Sequence, residues 1–400
     1  MTGKRSFGDG GIDQRGENKF RLRYRVGRKR FSKTFRGSAA EARKELRRLI
    51  KSGDDGEHIA PAKITLGEWA DRWIAAGAPG RRKRNKTIGQ RALEGYADLL
   101  RCHIIPEIGA RPMQQIQPAE IDALYSKLEK TLAPRTVHHV HTVLGACFAG
   151  AVRKALIGAS PVARADAPSP GESDHGMVLD EDQLRVLLAG FKGSVMFPIV
   201  AAAAFTGARR NEILALRWAD LDVANKTLRI ERAAQKTNKH GLTLKEPKTA
   251  RGTRTIAICD DLLALLLIER ERLLRVRAGI PDGVTVDLSL VKLPDDALMF
   301  PNPPCGGEEF SFARLRMPGN VTKEFRRRAR RLGFPKLRLH DLRGTHETLL
   351  LDAGVPVHVV AARCGHDPAV LLRTYAKRTR KADVSAAAII GALSKGILAS

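Results

Sequence analysis

Two polar interruptions divide the 400-residue chain into three stretches, each of which must bury its own apolar surface. Lys51-Ser52-Gly53-Asp54-Asp55-Gly56 is a short connector, and Ser160 to Gly176 is rich in Pro, Ser, Ala, Gly and Asp without apolar periodicity. A chain of this length exceeds one comfortable core, so the interruptions imply a multidomain fold. The first stretch reads as β. Lys19 to Val26 alternates strictly, with Phe20, Leu22, Tyr24 and Val26 on one face and Lys19, Arg21, Arg23 and Arg25 on the other, the pattern of a half-buried strand. Gly27-Arg28 turns the chain, Arg30 to Phe35 returns as a second strand, and Ser38-x-x-Glu41 is a capping box for a helix to about Ile50.

The second stretch, about residues 62–160, reads as all-α. Thr65-x-x-Glu68 caps a helix carrying Trp69 and Trp73, and helical patterns follow over Leu93 to Ile104, Pro118 to Leu128 and Thr136 to Leu156. The third stretch is mixed. A helix capped by Asp180 with Gln183, the apolar helix Met196 to Phe205 and a helix Asn211 to Trp218 precede strands near Thr227 to Arg232, Leu242 to Lys245 and Thr253 to Ile258, and helices resume afterwards. The fold class is therefore multidomain α+β: a small amino-terminal sheet plus helix, an all-α domain, and a mainly α domain with a small antiparallel sheet.

Seventy Lys and Arg against forty-three Asp and Glu leave a formal charge of +27, an excess suited to a polyanion. DNA is favoured over an acidic membrane, because the longest uncharged run, Gly193 to Ala208, is shorter than the roughly 20 residues that cross a bilayer. It reads as a buried helix. The amino terminus lacks the apolar core of a secretory leader, so a cytoplasmic location is expected. Five scattered cysteines without a C-x-x-C give neither a disulfide framework nor a zinc knuckle.

Residues 1–50 hold sixteen cationic against five acidic side chains. Arg21, Arg23, Arg25, Arg28, Lys29 and Arg30 are candidates for groove or phosphate contact, as is a basic loop of Arg81, Arg82, Lys83, Arg84 and Lys86 between two helices. The basic run Lys323 to Arg331 is a third candidate for DNA backbone contact. His138, His139 and His141 cluster on one helix; with no Cys or carboxylate at ligand spacing, packing or DNA contact is expected there rather than a metal.

The chemistry gathers in the last two hundred residues. Thr206-Gly207-Ala208-Arg209 is read as opening an apolar helix, Glu246-Pro247-Lys248-Thr249 as a hairpin turn, and His340-Asp341-Leu342-Arg343 as one helical turn. Cys364-Gly365-His366 precedes Tyr375 by nine positions. Attack on a phosphodiester builds charge on its non-bridging oxygens, and two planar, permanently charged guanidiniums, Arg209 and Arg343, neutralise it without a metal. Tyr375 is the candidate nucleophile; it is the one tyrosine of four that falls in the third stretch. A phenol with a pKa near 10 needs a base, for which His340 is placed. His366 is a candidate phosphate donor and Lys248 a candidate proton donor to the leaving oxygen, with Lys236, Lys239 and Lys245 as nearby competitors.

These motifs, in this order over about residues 177–385, resemble the tyrosine recombinase family, the phage-type integrases. Ala208 and Cys364 replace bulkier aliphatic residues, and Gly344 stands where the family often has His. The resemblance implies an arm-type DNA-binding domain at 1–55 with a three-stranded sheet plus helix, a helical core-binding domain at 62–160, and a catalytic domain at 175–400. It implies Glu212 as a support for Arg209, and a reaction without metal or cofactor through a 3′-phosphotyrosyl intermediate. The implied partners are double-stranded attachment-site DNA, a homotetramer assembled on it, and an excisionase or host DNA-bending protein, with no membrane. The expected function is integration, and excision, of a phage or mobile element.

A Xer-like resolvase of chromosome or plasmid dimers and a strand-relaxing topoisomerase are the competing enzymes; the additional basic amino-terminal domain argues against both. A non-catalytic DNA-binding accessory protein is the competing binder, and the complete six-residue set argues against it. Phosphate contacts release counterions, so affinity for duplex DNA is expected to fall steeply between 50 and 200 mM salt, by about 10³-fold or more if six or more phosphates are neutralised. A flat salt response in a filter-binding or anisotropy titration contradicts the basic-face assignments.

Overall fold

A computed structural model describes residues 10–26, 29–54, 63–79, 88–172, 176–246, 252–304 and 306–375, the side chains of 52–54 and 373–375 excepted. The chain divides into two compact units, Met1–Ser173 and Asp174–Ser400. Among the described residues no helix is long and apolar enough to cross a membrane.

The first unit opens with strands β1 (Gly11–Gly16), β2 (Lys19–Val26) and β3 (Lys29–Arg36) in the antiparallel order β1-β2-β3, followed by helix α1 (Ala39–Asp54). The period-two pattern of β2 is realised. Phe20, Leu22 and Tyr24 are buried with Ala42 and Leu46 of α1, and Tyr24 stacks on its cross-strand partner Phe31 at 5.9 Å. Lys19, Arg21, Arg23 and Arg25 are exposed on the other face. Strand β1, which the residue pattern does not announce, pairs with β2 and places Asp13 against Arg23 at 2.7 Å. The Ser38/Glu41 capping box forms, and α1 extends past Ile50.

A second apolar cluster of this unit is built by α2 (Leu66–Ala75), α3 (Gln90–Leu99), α4 (Ile105–Ile108), α5 (Pro118–Glu129) and α6 (Pro134–Arg153). The Thr65/Glu68 box starts α2 as expected. Trp69 donates from Nε1 to the Cys147 carbonyl (3.0 Å), and Trp73 lies so close to Gly150 that an added Cβ would meet its ring at 3.0 Å. Between α3 and α4 the chain makes a π-helical turn, Leu100–Ile104. Pro106 has no amide to return to the Cys102 carbonyl, and the ladder widens there. The three histidines of α6 are packing residues: His141 meets the Tyr125 hydroxyl (3.0 Å), His138 the Pro168 carbonyl (2.9 Å), and His139 the edge of Tyr96. The stretch expected as a linker from Ser160 is therefore not free at its start. Pro161 and Val162 are buried in a 3-10 turn and the Asp166 amide donates to Asp122, because two apolar residues suffice to hold it on the helices.

The second unit runs α7 (Glu181–Phe191), α8 (Phe197–Thr206), α9 (Arg210–Ile213), β4 (Leu221–Asp222), β5 (Thr227–Ile230), β6 (Ala233–Thr237), β7 (Gly241–Lys245), β8 (Arg254–Ala257), α10 (Asp260–Ala278), α11 (Pro318–Arg331), α12 (Asp341–Asp352), α13 (Val357–Cys364) and α14 (Pro368–Tyr375). The Asp180/Gln183 box caps α7, and the uncharged run becomes α8, buried on nearly every side. Two expectations change. The helix over Asn211 to Trp218 is one turn, α9, followed by a 3-10 turn at Trp218–Asp220, because Arg217 and Asp220 close their own capping box. The strands form two sheets, β4-β5-β8 and β6-β7. The tight turn of the second is at 238–240 and among the described residues β7 and β8 are not paired with each other, while 247–249 of the turn expected at Glu246 to Thr249 lie outside the described residues.

The core of this unit includes Phe325 of α11, fully buried and stacked on Phe191 of α7 at 5.4 Å. Phe325→Ala is expected to destabilise the unit by about 3–5 kcal/mol, from lost transfer energy plus the residual cavity. A urea titration checks this, and a loss below about 1 kcal/mol would contradict the packing described.

Candidate active site

Helix α8 ends where the site begins. Its apolar face is fixed in the core, and Thr206, which closes the helix rather than opening one, bonds back to the Ala202 carbonyl and accepts the Ala208 amide at 3.1 Å. Gly207 then takes a left-handed conformation (φ 63°), and a Cβ there would strike the His346 ring at 2.6 Å and the Cys364 sulfur at 2.9 Å. The chain leaves this turn with Arg209 as N-cap of α9. Glu212, three residues on, accepts from the Arg209 amide (2.9 Å) and from its Nη1 (2.8 Å), folding the guanidinium back over the turn.

Helix α12 supplies the second cation. His340 is its N-cap, and Arg343 and Glu347 follow at spacings of three and four along the same face. The Arg343 side chain is buried, donating from Nη1 to the Gly207 carbonyl (2.7 Å) and from Nη2 to the Cys364 carbonyl (2.6 Å). Arg209 Nη2 donates to the adjacent Gly365 carbonyl at 3.1 Å. Two guanidiniums thus hold the left-handed turn that ends α13, and His366 stands immediately after it. Its Nε2 is 2.9 Å from Glu347 Oε1 and 3.1 Å from Arg343 Nε. Helix α14 begins two residues later and ends at Tyr375.

Charge is balanced from within. Burial alone would raise the carboxyls of Glu212 and Glu347; hydrogen bonds and charge from Arg254 and Arg209 for the first, and from His366 and Arg343 for the second, hold both below the usual carboxylate range. His340, desolvated and then opposed by the Arg343 charge, is shifted down, which keeps its imidazole neutral and proton-accepting near pH 7. Outside this group lies a cleft of about 330 Å³ lined by Arg209, Arg210, Arg326, Arg338 and His340, with no carboxylate among its described lining residues. Such a lining suits an anion.

The structure therefore brings together Arg209, His340, Arg343, His366 and Glu212. Lys248 and the Tyr375 side chain lie outside the described residues, as do Arg28 and Arg81, Arg82, Lys83, Arg84 and Lys86. In the first unit Arg21, Arg23, Arg25 and Arg30 line a cleft of about 490 Å³ on the open sheet face, and Lys29 is exposed at the start of β3. On α11, Glu324 pairs with Arg327 and Arg328, so part of the basic run is neutralised, while Arg326 lines the cationic cleft.

Three residues escaped the sequence reading. Arg254 donates to Glu212 (2.8 Å) and to the Arg363 carbonyl (2.7 Å), across separations of 42 and 109 residues that no local pattern signals. Glu347 was legible in principle, four residues past Arg343 on one helix. His346 is buried, its Nδ1 2.9 Å from the Ala204 carbonyl while its Nε2 accepts from Arg363 Nε at 3.1 Å.

Residues 66–167 match the phage integrase central domain family. An integrase of Streptomyces ambofaciens is 28% identical over 224 residues, 54% of this chain and 56% of that protein, so this match spans little more than half of the relative. An integrase of Saccharopolyspora erythraea is 26% identical over 390 residues, covering 84% of each. The second unit's fold extends the likeness. The Tn1549 transposon integrase, solved with a circular intermediate DNA, superimposes with a TM-score of 0.62 at 18% identity over 82% of this chain and 99% of that one. A lambda integrase tetramer bound to a Holliday junction gives 0.52 at 16% identity over 91% and 94%. Over most of its length the chain is similar to integrases and tyrosine recombinases.

Burial, and then the Arg363 charge, lower the His346 pKa from 6.5 to about 4. A folded-state value below the unfolded one means that stability is fully present above pH 6.5 and is lost as pH falls toward 4, by on the order of 3 kcal/mol for this group. His346→Gln keeps a donor for Ala204 and an acceptor for Arg363 without titrating. Its unfolding free energy is expected to fall less steeply between pH 6.5 and 5 than that of the parent protein; equal slopes would exclude a neutral buried His346.

Proposed function

We propose that the chain is a site-specific DNA recombinase that integrates, and excises, a phage or other mobile element through a tyrosine-linked intermediate. The observation that carries this reading is the convergence of Arg209 and Arg343 on the Cys364-Gly365 turn, with His340 and His366 beside them and one short helix leading on to Tyr375. Arg209 and Arg343 clamp the non-bridging oxygens of the scissile phosphate, and His366 donates to the same group. The Tyr375 hydroxyl loses its proton to His340 and attacks phosphorus. A 3′-phosphotyrosyl bond forms, the bond to the 5′ oxygen breaks, and Lys248 protonates the leaving 5′-hydroxyl. Bond energy is conserved, and the reverse attack by a 5′-hydroxyl of another strand restores the backbone. Glu212 holds Arg209 in place.

Residues 1–55 form the arm-type DNA-binding domain, reading its site through Arg21, Arg23, Arg25, Arg28, Lys29 and Arg30. Residues 62–160 form the core-binding domain, with Arg81, Arg82, Lys83, Arg84 and Lys86 on the backbone, and 175–400 the catalytic domain. Four copies act on two DNA sites, a reading supported by the lambda integrase tetramer on its Holliday junction. The work is done on DNA in a bacterial cytoplasm, with an excisionase or DNA-bending protein setting direction.

A nicked duplex carrying the element's attachment core tests this. The parent protein is expected to give a denaturation-resistant protein–DNA adduct that Tyr375→Phe cannot form, while Arg343→Ala slows its formation about 10²- to 10³-fold. An adduct that survives in Tyr375→Phe, or none on the core site, overturns the proposal.

A further inference from the structure

Glu347 has no part in the mechanism above, yet it is a buried carboxylate placed between two of its residues. Its Oε1 lies 2.9 Å from His366 Nε2 and 3.1 Å from Arg343 Nε, while those two nitrogens are 3.1 Å apart. The three atoms form a closed triangle, and its proton count is constrained. With a bare Nε2, His366 accepts from Arg343 Nε, and a lone pair of Nε2 then faces the carboxylate oxygen at 2.9 Å, which is repulsive. It also leaves the buried Oε1 without a hydrogen bond. With a proton on Nε2, His366 donates to Glu347 Oε1, and Arg343 meets the same oxygen as an ion pair at 3.1 Å.

From this geometry we infer that Glu347 is a positioning residue: it fixes the proton of His366 on Nε2, so that Nδ1 is the ring atom presented to the DNA phosphate. The inference rests on the proposed roles of His366 and Arg343 and adds a third group behind them. The remaining groups around the carboxylate agree. Glu347 is held ionised by its neighbours, as described above, and the Cys364 thiol, pushed up to about 11 by burial and further by Glu347, stays protonated and hydrogen-bonds the carboxylate. His346, on the same helix, is engaged by Ala204 and Arg363. With the carboxylate charged and Nε2 directed at it, the ring edge that bears Nδ1 is the one left for a phosphate oxygen. A buried carboxylate that fixes a histidine tautomer is a known device of nucleophilic catalysis.

Glu347→Gln preserves shape but presents either an amide N–H to two donors or an oxygen without charge. Single-turnover cleavage of the nicked core duplex is expected to slow on the order of tenfold or more, with the dissociation constant for the duplex within about twofold of the parent. In a His366→Ala background the same substitution is expected to add little, because the ring it positions is absent. Equal slowing in both backgrounds, or none in either, overturns the inference. A reading independent of folding comes from the parent protein: ¹⁵N-labelled histidine should show His366 protonated at Nε2 at pH 7, and a bare Nε2 overturns it. Failure is separable from that of the function itself. If the adduct depends on Tyr375 but is indifferent to Glu347→Gln, only the positioning role falls.

Discussion

The guanidinium of Arg343 is the interaction around which the second unit's chemistry is arranged. It is buried between two helix C-termini, reaching the Gly207 carbonyl at the end of α8 and the Cys364 carbonyl at the end of α13. Terminal carbonyls lack intrahelical partners and carry the negative end of the helix dipole, so a cation placed there is both hydrogen-bonded and electrostatically favoured. Both helices must end in left-handed glycines for the carbonyls to turn inward, and Gly207 and Gly365 do so. One side chain thereby ties three helices, α8, α12 and α13, into a single turn-on-turn junction. Two of its five N–H groups are engaged in this way and a third, on Nε, meets His366 and Glu347, which among the described residues leaves two for a ligand.

Bringing a second guanidinium to the same junction costs repulsion, and the fold answers with carboxylates behind rather than in front. Glu212 sits between Arg209 and Arg254, and Glu347 between Arg343 and His366, both buried. The front, the cleft that includes Arg210, Arg326, Arg338 and His340, carries no acid among its described lining residues. A cationic wall with buried counter-charges attracts a phosphate without being neutralised by its own supports. The basic sheet face of the first unit carries one such pair, Asp13 against Arg23.

Local patterns carried the reading furthest where one element contains the whole signal. The alternation of Lys19 to Val26, the three capping boxes at Ser38, Thr65 and Asp180, and the uncharged run that became α8 all survive, because period and cap chemistry act within a few residues. The boundaries that moved did so for tertiary reasons. Asn211 to Trp218 has helical composition, but the Arg217/Asp220 cap competes and ends the helix after one turn. Strands β7 and β8 are consecutive in sequence and belong to different sheets, a partition set by β5 and β6.

By itself, the sequence determined the basic balance, the alternating strand β2, the capped helix starts and the buried helix α8, since these depend on composition and short-range order. Only the tertiary structure decided that Arg209 and Arg343 meet at one turn, that Arg254 shares Glu212 across 42 residues, and that Glu347 closes a triangle with His366. Those contacts join residues far apart in the chain. Their geometry is fixed by where packed helices end, and no local spacing encodes it.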